Sequence, residues 1–258
     1  MPDRPSLAGC RVLVTRAPDR ARAWTEALEA RGATVAAREI FVLASMAAEA
    51  AALEAVQSIE AYDWILVTSA NGLRFFRETL ARRGLDVTDL TASFGVVGPQ
   101  TASALRACGV EPGVVAGRAD SSGLADALAE HVGARARVLL VRPEVSQPEL
   151  AERLHAAGAA VDSIPFYRNR PAPGVGDVAN ELTAGSFDVA VFSSPSSFKH
   201  LIDAPGQATP VIPPDVALVA IGETTAATIR ARGLVVAAVA GQPTAEGIAD
   251  AVAETRSA

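Results

Sequence analysis

The sequence predicts an α/β protein built of two parallel-sheet domains, and three observations predict it. The chain repeats itself once, at a spacing of about 125 residues. Each copy alternates short β-branched runs with segments of helical spacing, the pattern of βαβ units. The 258 residues, 50% of them hydrophobic, are enough to bury a core in each domain.

The repeat comes in four blocks that keep one order. RVLVTR (11–16) returns as RVLLVR (137–142), and the same offset brings Leu28 onto Leu154, Gly32 onto Gly158 and Phe41 onto Tyr167. DWILVTSANGLRFF (63–76) returns as DVAVFSSPSSFKHL (188–201). FGVVGPQTASALRACGVE (94–111) matches VAIGETTAATIRARGLV (219–235), which pairs Gly98 with Gly222, Thr101 with Thr225 and Arg106 with Arg230. Gly123 to Ala127 then match Gly247 to Ala251. This order marks a tandem duplication.

The elements follow in sequence. Val12–Thr15 and Val138–Val141 are short apolar runs suited to buried parallel strands. Ala21–Arg31 and Glu149–Ala157 carry apolar residues at helical spacing, Trp24 with Leu28 and Leu150 with Leu154. Gly32 and Gly158 are natural left-handed stops for these helices. Ala37–Ser45 (AREIFVLAS) and Ser163–Arg170 (SIPFYRNR) are extended in character and read as crossings between domains. Strands are then expected at Trp64–Thr68, Gly95–Val97 and Val114–Ala116, mirrored by Val189–Phe192, Leu218–Ile221 and Val235–Val239, with a helix after each. Such alternation builds right-handed crossovers and a sheet covered on both faces.

Composition excludes several functions. With 23 Lys+Arg against 29 Asp+Glu, the net charge is −6, so no broad basic face for nucleic acid is expected. Aromatic residues are 5%, too few for base-stacking platforms. No apolar run approaches the ~18 residues of a membrane span, and the first residues lack a signal-peptide core. A cytoplasmic protein with reduced thiols and no membrane partner is expected. Cys10 and Cys108 read as structural; they and the scattered His131, His155 and His200 lack metal-ligand spacing, so no metal is expected. No nucleotide fingerprint, nucleophile elbow or Ser-His-Asp spacing is present, and no cofactor is expected. Lys199 is the single lysine, and so the single candidate for Schiff-base chemistry.

Ligands of open α/β sheets sit beyond the carboxyl ends of the strands, where helix N-termini offer free N–H groups to anions. The residues expected there are Thr15, Arg16, Ser69, Thr101, Arg142, Ser194, Ser197, Thr224 and Thr225. Ser and Thr also cap helices without any ligand. The tips of both copies, presented around one cleft, favour anion binding. Arg16 and Arg142 end equivalent strands and suit carboxylates, or else lie solvated on the surface. Tyr167 has Phe41 as its copy-mate, so the fold does not require its hydroxyl. It is a candidate general acid, or simply a packed ring.

The blocks RVLVTR, WILVTSANG, FGVVGPQTASAL, SIPFY, VAVFSSPS and VAIGETTAATIRARG, with the paired GLADAL and GIADAV, follow in the order of the uroporphyrinogen-III synthase family. The resemblance runs from about Cys10 to Val252. It implies two flavodoxin-like domains with parallel sheets, interleaved in sequence and joined by a two-stranded β ladder. Residues 1–38 and 170–258 would form one domain and 45–163 the other, with 39–44 and 164–169 as linkers. It implies cyclisation of hydroxymethylbilane with inversion of ring D and loss of water, in tetrapyrrole (heme) biosynthesis. Its one small-molecule partner would be hydroxymethylbilane, handed over from hydroxymethylbilane synthase. One departure stands out. Where the family often has a glycine-containing turn, this chain has Pro143-Glu144-Val145-Ser146-Gln147-Pro148, and Glu144 is expected to face an anionic substrate. The competing reading is a non-catalytic module of the same fold that binds a small anion as a sensor.

Overall fold

A computed structural model describes residues 6–116, 121–128, 131, 133, 135–204 and 212–256. In chain order the first elements are β1 (Arg11–Val14), α1 (Pro18–Glu29), β2 (Thr34–Ala37), β3 (Phe41–Ser45), α2 (Ala50–Gln57), β4 (Trp64–Val67), α3 (Ala70–Ala81), β5 (Ser93–Val96), α4 (Gly98–Ala107), β6 (Val114–Val115) and α5 (Ser121–Leu128). Then come β7 (Arg137–Pro143), α6 (Glu149–Ala156), β8 (Ala160–Pro171), α7 (Val175–Thr183), β9 (Val189–Phe192), α8 (Pro195–Ile202), β10 (Ala217–Ala220), α9 (Glu223–Arg230), β11 (Ala238–Val239) and α10 (Ala245–Glu254).

These elements make two compact units, Met1–Val42 with Arg170–Ala258, and Leu43–Asn169. The sheet of the first unit has the order β2-β1-β9-β10-β11, all parallel. Counted along the chain this is the flavodoxin-like order 2-1-3-4-5. The second sheet runs β3-β8-β7-β4-β5-β6. From β8 to β6 it is parallel and shows the same order, with β7 in the place of β1. The duplication has therefore exchanged its first strand–helix–strand unit. β1, α1 and β2 of copy one sit with β9 to β11 of copy two, and β7, α6 and β8 sit with β4 to β6. The register agrees: Val12 lies beside Val189, and its copy-mate Val138 lies beside Trp64, the copy-mate of Val189. Edge strand β3 runs antiparallel to β8, since Met46 N–H bonds Phe166 O while Ala172 N–H bonds Ile40 O, each at 2.9 Å.

The central strands are buried on both faces, which is why β1, β4, β7 and β9 read as unbroken apolar runs. In the first unit Ala21, Trp24 and Leu28 of α1 join a cluster with Ile248, Ala249 and Val252 of α10. In the second, Leu150 and Leu154 of α6 join Leu124 and Leu128 of α5. Each buried leucine, isoleucine or valine among them contributes roughly 1.5–3 kcal/mol. Gly32 (φ 94°) and Gly158 (φ 90°) hold the left-handed conformation beyond α1 and α6, a conformation that glycine adopts without a Cβ penalty.

Most expected strands are found within a residue or two, and two differences have physical causes. The last strand keeps only Ala238–Val239 of the expected 235–239, because Val235 lies in the approach to it and is 83% exposed. β2 was not expected as a separate strand: TVAA is short, is not fully buried, and lies at an edge. Among the described residues no helix is long and apolar enough to cross a membrane.

Candidate functional site

In the second unit, β4 runs through Thr68 into Ser69, the N-cap of α3. Ser69 Oγ accepts the Gly72 N–H at 3.0 Å and lies 3.1 Å from Tyr167 Oη. The Tyr167 ring stacks on Phe75, with centroids 5.2 Å apart and planes 17° apart. The ring is thus buried by α3 while its oxygen sits at the start of that helix. A bulge aims it there. Arg142 lies beside Pro165, but Pro143 lies beside Tyr167, so Phe166 is an extra residue on β8. Consecutive strand residues normally point to opposite faces, yet Phe166 and Tyr167 both join the same core cluster.

Arg142 is largely engaged with the protein itself. Its guanidinium donates to Ser163 Oγ (2.8 Å), Ser163 O (3.3 Å), Pro143 O (2.9 Å) and Glu144 O (2.9 Å). Glu144, expected to face an anionic substrate, has its carboxylate 3.4 Å from Arg168 Nη1. Thr101, in the first turn of α4, is buried at 3% exposure.

The first unit presents a second set. Thr15 Oγ1 lies 2.9 Å from Val191 O and 3.0 Å from Ser197 Oγ, and accepts the Ser193 N–H at 3.1 Å. Ser194 caps α8 and Ser197 returns the bond in a capping box. Thr15 and Ser197, with exposures of 2% and 0%, therefore fix the geometry of the strand ends rather than present a hydroxyl. Arg16 is different. It lies over the Trp24 ring at 4.6 Å, and among the described residues it has no acidic partner. At α9 the cap is Gly222, with no side-chain cap bond. This corrects the capping reading of Thr225, which is the third helical residue and buried at 2% exposure, while Thr224 is exposed.

The copies also show an unexpected parallel. Phe41, copy-mate of Tyr167, stacks on His200, copy-mate of Phe75, with centroids 5.7 Å apart. The same ring pair thus carries a phenol in one unit and an imidazole in the other. Burial pushes His200 below the ordinary histidine pKa, with Asp203 opposing weakly. Sequence reasoning did not single out Phe75, His200 or Arg168 as site residues. Extending the 125-residue offset past the strand ends was the signal that leads to the first two.

Comparison with known proteins bears on this architecture. The family model described as uroporphyrinogen-III synthase HemD matches residues 22–250. The chain belongs to the uroporphyrinogen-III synthase HemD family. Among HemD-family relatives, it is 28% identical over 198 residues to the porphyrin biosynthesis protein HemD of Ruminiclostridium josui. That match takes in 76% of this chain but 39% of the relative, so the chain spans well under half of that protein's length. It is 27% identical over 202 residues to the uroporphyrinogen-III synthase of Synechococcus elongatus, covering 75% and 74% of the two chains. The structure of a mutant uroporphyrinogen III synthase from Thermus thermophilus aligns over 96% of this chain and 99% of that one, with a TM-score of 0.67 at 22% identity. This HemD-family chain also holds a cavity of about 420 Å³ lined by Ile212, Pro213, Val216, Leu218, Leu234 and Val235. It lies where β10 begins, at the opposite end of the sheet from the strand-end residues above.

Proposed function

We propose that this chain cyclises hydroxymethylbilane to uroporphyrinogen III, with inversion of ring D and loss of water, in tetrapyrrole (heme) biosynthesis. The family match over residues 22–250 carries this reading. The chemistry asks for one proton delivery and much orientation. The substrate's hydroxymethyl group leaves as water once its oxygen gains a proton, and the pyrrole nitrogen supplies the electrons that form an azafulvene. Ring D attacks that methylene through its substituted carbon and forms a spiro intermediate. The older bond from that carbon then breaks and re-forms at the free position, with loss of a proton. The balance is one water lost and no net oxidation, so the reaction calls for no redox cofactor.

Tyr167 is the proton donor in this reading, and Ser69 sets its orientation. Ser69 Oγ already accepts from Gly72, and its own hydrogen can be given to Tyr167 Oη. That arrangement leaves the phenolic hydrogen for the substrate's departing oxygen. The substrate carries eight carboxylates while the chain carries −6, so binding must rest on local donors rather than long-range attraction. Arg16, Thr224 and the first N–H groups of α3, α4, α8 and α9 are those donors, whereas Thr15, Thr101, Arg142, Ser194, Ser197 and Thr225 support them. The spontaneous reaction closes without inversion, so the protein contributes chiefly by fixing which carbon attacks. The domains are 1–38 with 170–258, and 45–163, with linkers at 39–44 and 164–169. A cytoplasmic setting suits a substrate handed over from hydroxymethylbilane synthase.

The test is to mix the purified protein with freshly generated hydroxymethylbilane and resolve the products. Isomer III, formed faster than the spontaneous isomer I, is expected. Isomer I alone at the uncatalysed rate, with hydroxymethylbilane bound, would leave a non-catalytic binding module.

A further inference from the structure

The geometry points to Arg168 as a positioning residue that holds the Tyr167 phenol in place through the backbone. This rests on the reading of Tyr167 as proton donor. Arg168 follows Tyr167 on β8 and does not bond to the phenol. Its guanidinium instead spans β8 from one neighbouring strand end to the other. Nη1 lies 3.4 Å from Glu144, just after β7, and Nη2 pairs with Glu49, the N-cap of α2 just after β3. Nε is buried among the described residues without a hydrogen-bond partner. A cation held this way stays because both flanking carboxylates compensate it.

What lies between those two ties is the bulge. Glu144 N–H donates to Tyr167 O at 2.8 Å, and Met46 N–H donates to Phe166 O at 2.9 Å. Arg168 therefore closes two bridges, each of which already grips one of the two bulged residues by the main chain. The bulge sets one extra residue of β8 against β7 here, so the regular one-to-one pairing is broken at this step. A one-residue slip would turn the tyrosine away from Ser69 and Phe75. The bulge loosens the ladder, and Glu144 ties it again, by its own N–H and through Arg168.

The experiment is a double-mutant cycle on the full chain with hydroxymethylbilane as substrate. Arg168→Met is expected to lower kcat about 10-fold with KM little changed, because a small displacement of a reacting group is costly to rate. In a Tyr167→Phe background the same change should cost less than about 2-fold, since the phenol it positions is gone. Arg168→Lys should recover most of the rate. If Arg168→Met does not fold, Glu144→Gln, at a part-exposed carboxylate, carries the same comparison with a loss of about 3-fold. Equal losses in both backgrounds, or no loss in either, overturn the inference while leaving Tyr167 as donor. A wild-type rate in Tyr167→Phe alone removes the donor, and the positioning role with it.

Discussion

The Tyr167 phenol depends on two contacts that can be separated by one atom. The ring is held by its stack on Phe75, and the oxygen by Ser69 Oγ. Tyr167→Phe removes only the second. Isomer III formation should slow by about 10–100-fold, the low end of general-acid contributions, because water can replace the phenol. The melting temperature should stay nearly unchanged, since the ring remains. A wild-type rate with normal isomer ratio would leave orientation as the whole mechanism. Tyr167 was legible in the sequence because its copy-mate is phenylalanine, so the hydroxyl stood out against its own duplicate. Arg168 was not legible, because its partners Glu49 and Glu144 come from distant points of the chain and meet only through sheet order. The buried Thr15 and Ser197 were legible as strand-end hydroxyls, but not as partners of each other. Only the side-by-side placement of β1 and β9 reveals that.

Elements were legible wherever burial imposes a pattern. The four central strands are covered on both faces and could not be other than apolar runs, and Gly32 and Gly158 mark the ends of their helices. The edge strands β2 and β11 are short and in part exposed, so little in their composition marks them. Two further expectations belong at this scale. Gly247 lies in the first turn of α10, and a Cβ there would clash with the Gln242 carbonyl oxygen. Helix propensity favours Gly247→Ala by ~1 kcal/mol, but a clash with backbone cannot relax by a rotamer change and costs ~1–3 kcal/mol. A lower urea midpoint is therefore expected; a higher one would show that α10 can shift freely. Tyr62, entering β4, donates to Asp162 Oδ2 on β8 at 2.7 Å. Burial first, and this bond second, push its pKa up to about 12. The folded protein then holds this proton where the unfolded chain, titrating near 10, releases it. The stabilisation is full below pH ~10 and is lost as pH rises toward ~12, by at most ~2–3 kcal/mol. Urea unfolding across that range should show a fall in stability that is flattened in Tyr62→Phe. An equal fall in both proteins would place its origin elsewhere.

At the scale of the whole molecule, the duplication offers two ways of cutting the chain, and they should behave differently. Every residue of the clusters around Phe76 and around Leu140 falls within 43–169. That fragment keeps β4, β5, β6, β7 and β8 in one sheet. It is expected to fold alone, with cooperative unfolding, as a domain with its own core does. The half 1–129 holds instead one full copy of the repeat. To close by itself it must set β1 beside β4 where β7 belongs, and α1 beside α5 where α6 belongs. The strand exchange is mild, because RVLV replaces RVLL. The helix exchange is not. Trp24 would enter the position of Leu150, and overpacking of this kind costs ~1–3 kcal/mol. Arg31, whose side chain is 5% exposed and pairs with Glu246 and Asp250, would lose the glutamate, because copy one carries no acid at the equivalent position. A buried cation losing one of its carboxylates is costly again. Fragment 43–169 should therefore unfold at a clearly higher urea concentration than 1–129, as followed by circular dichroism. If 1–129 proved equally stable, the exchange of strands would be neutral to folding, and the interleaved order would owe nothing to the packing of α1 on α10.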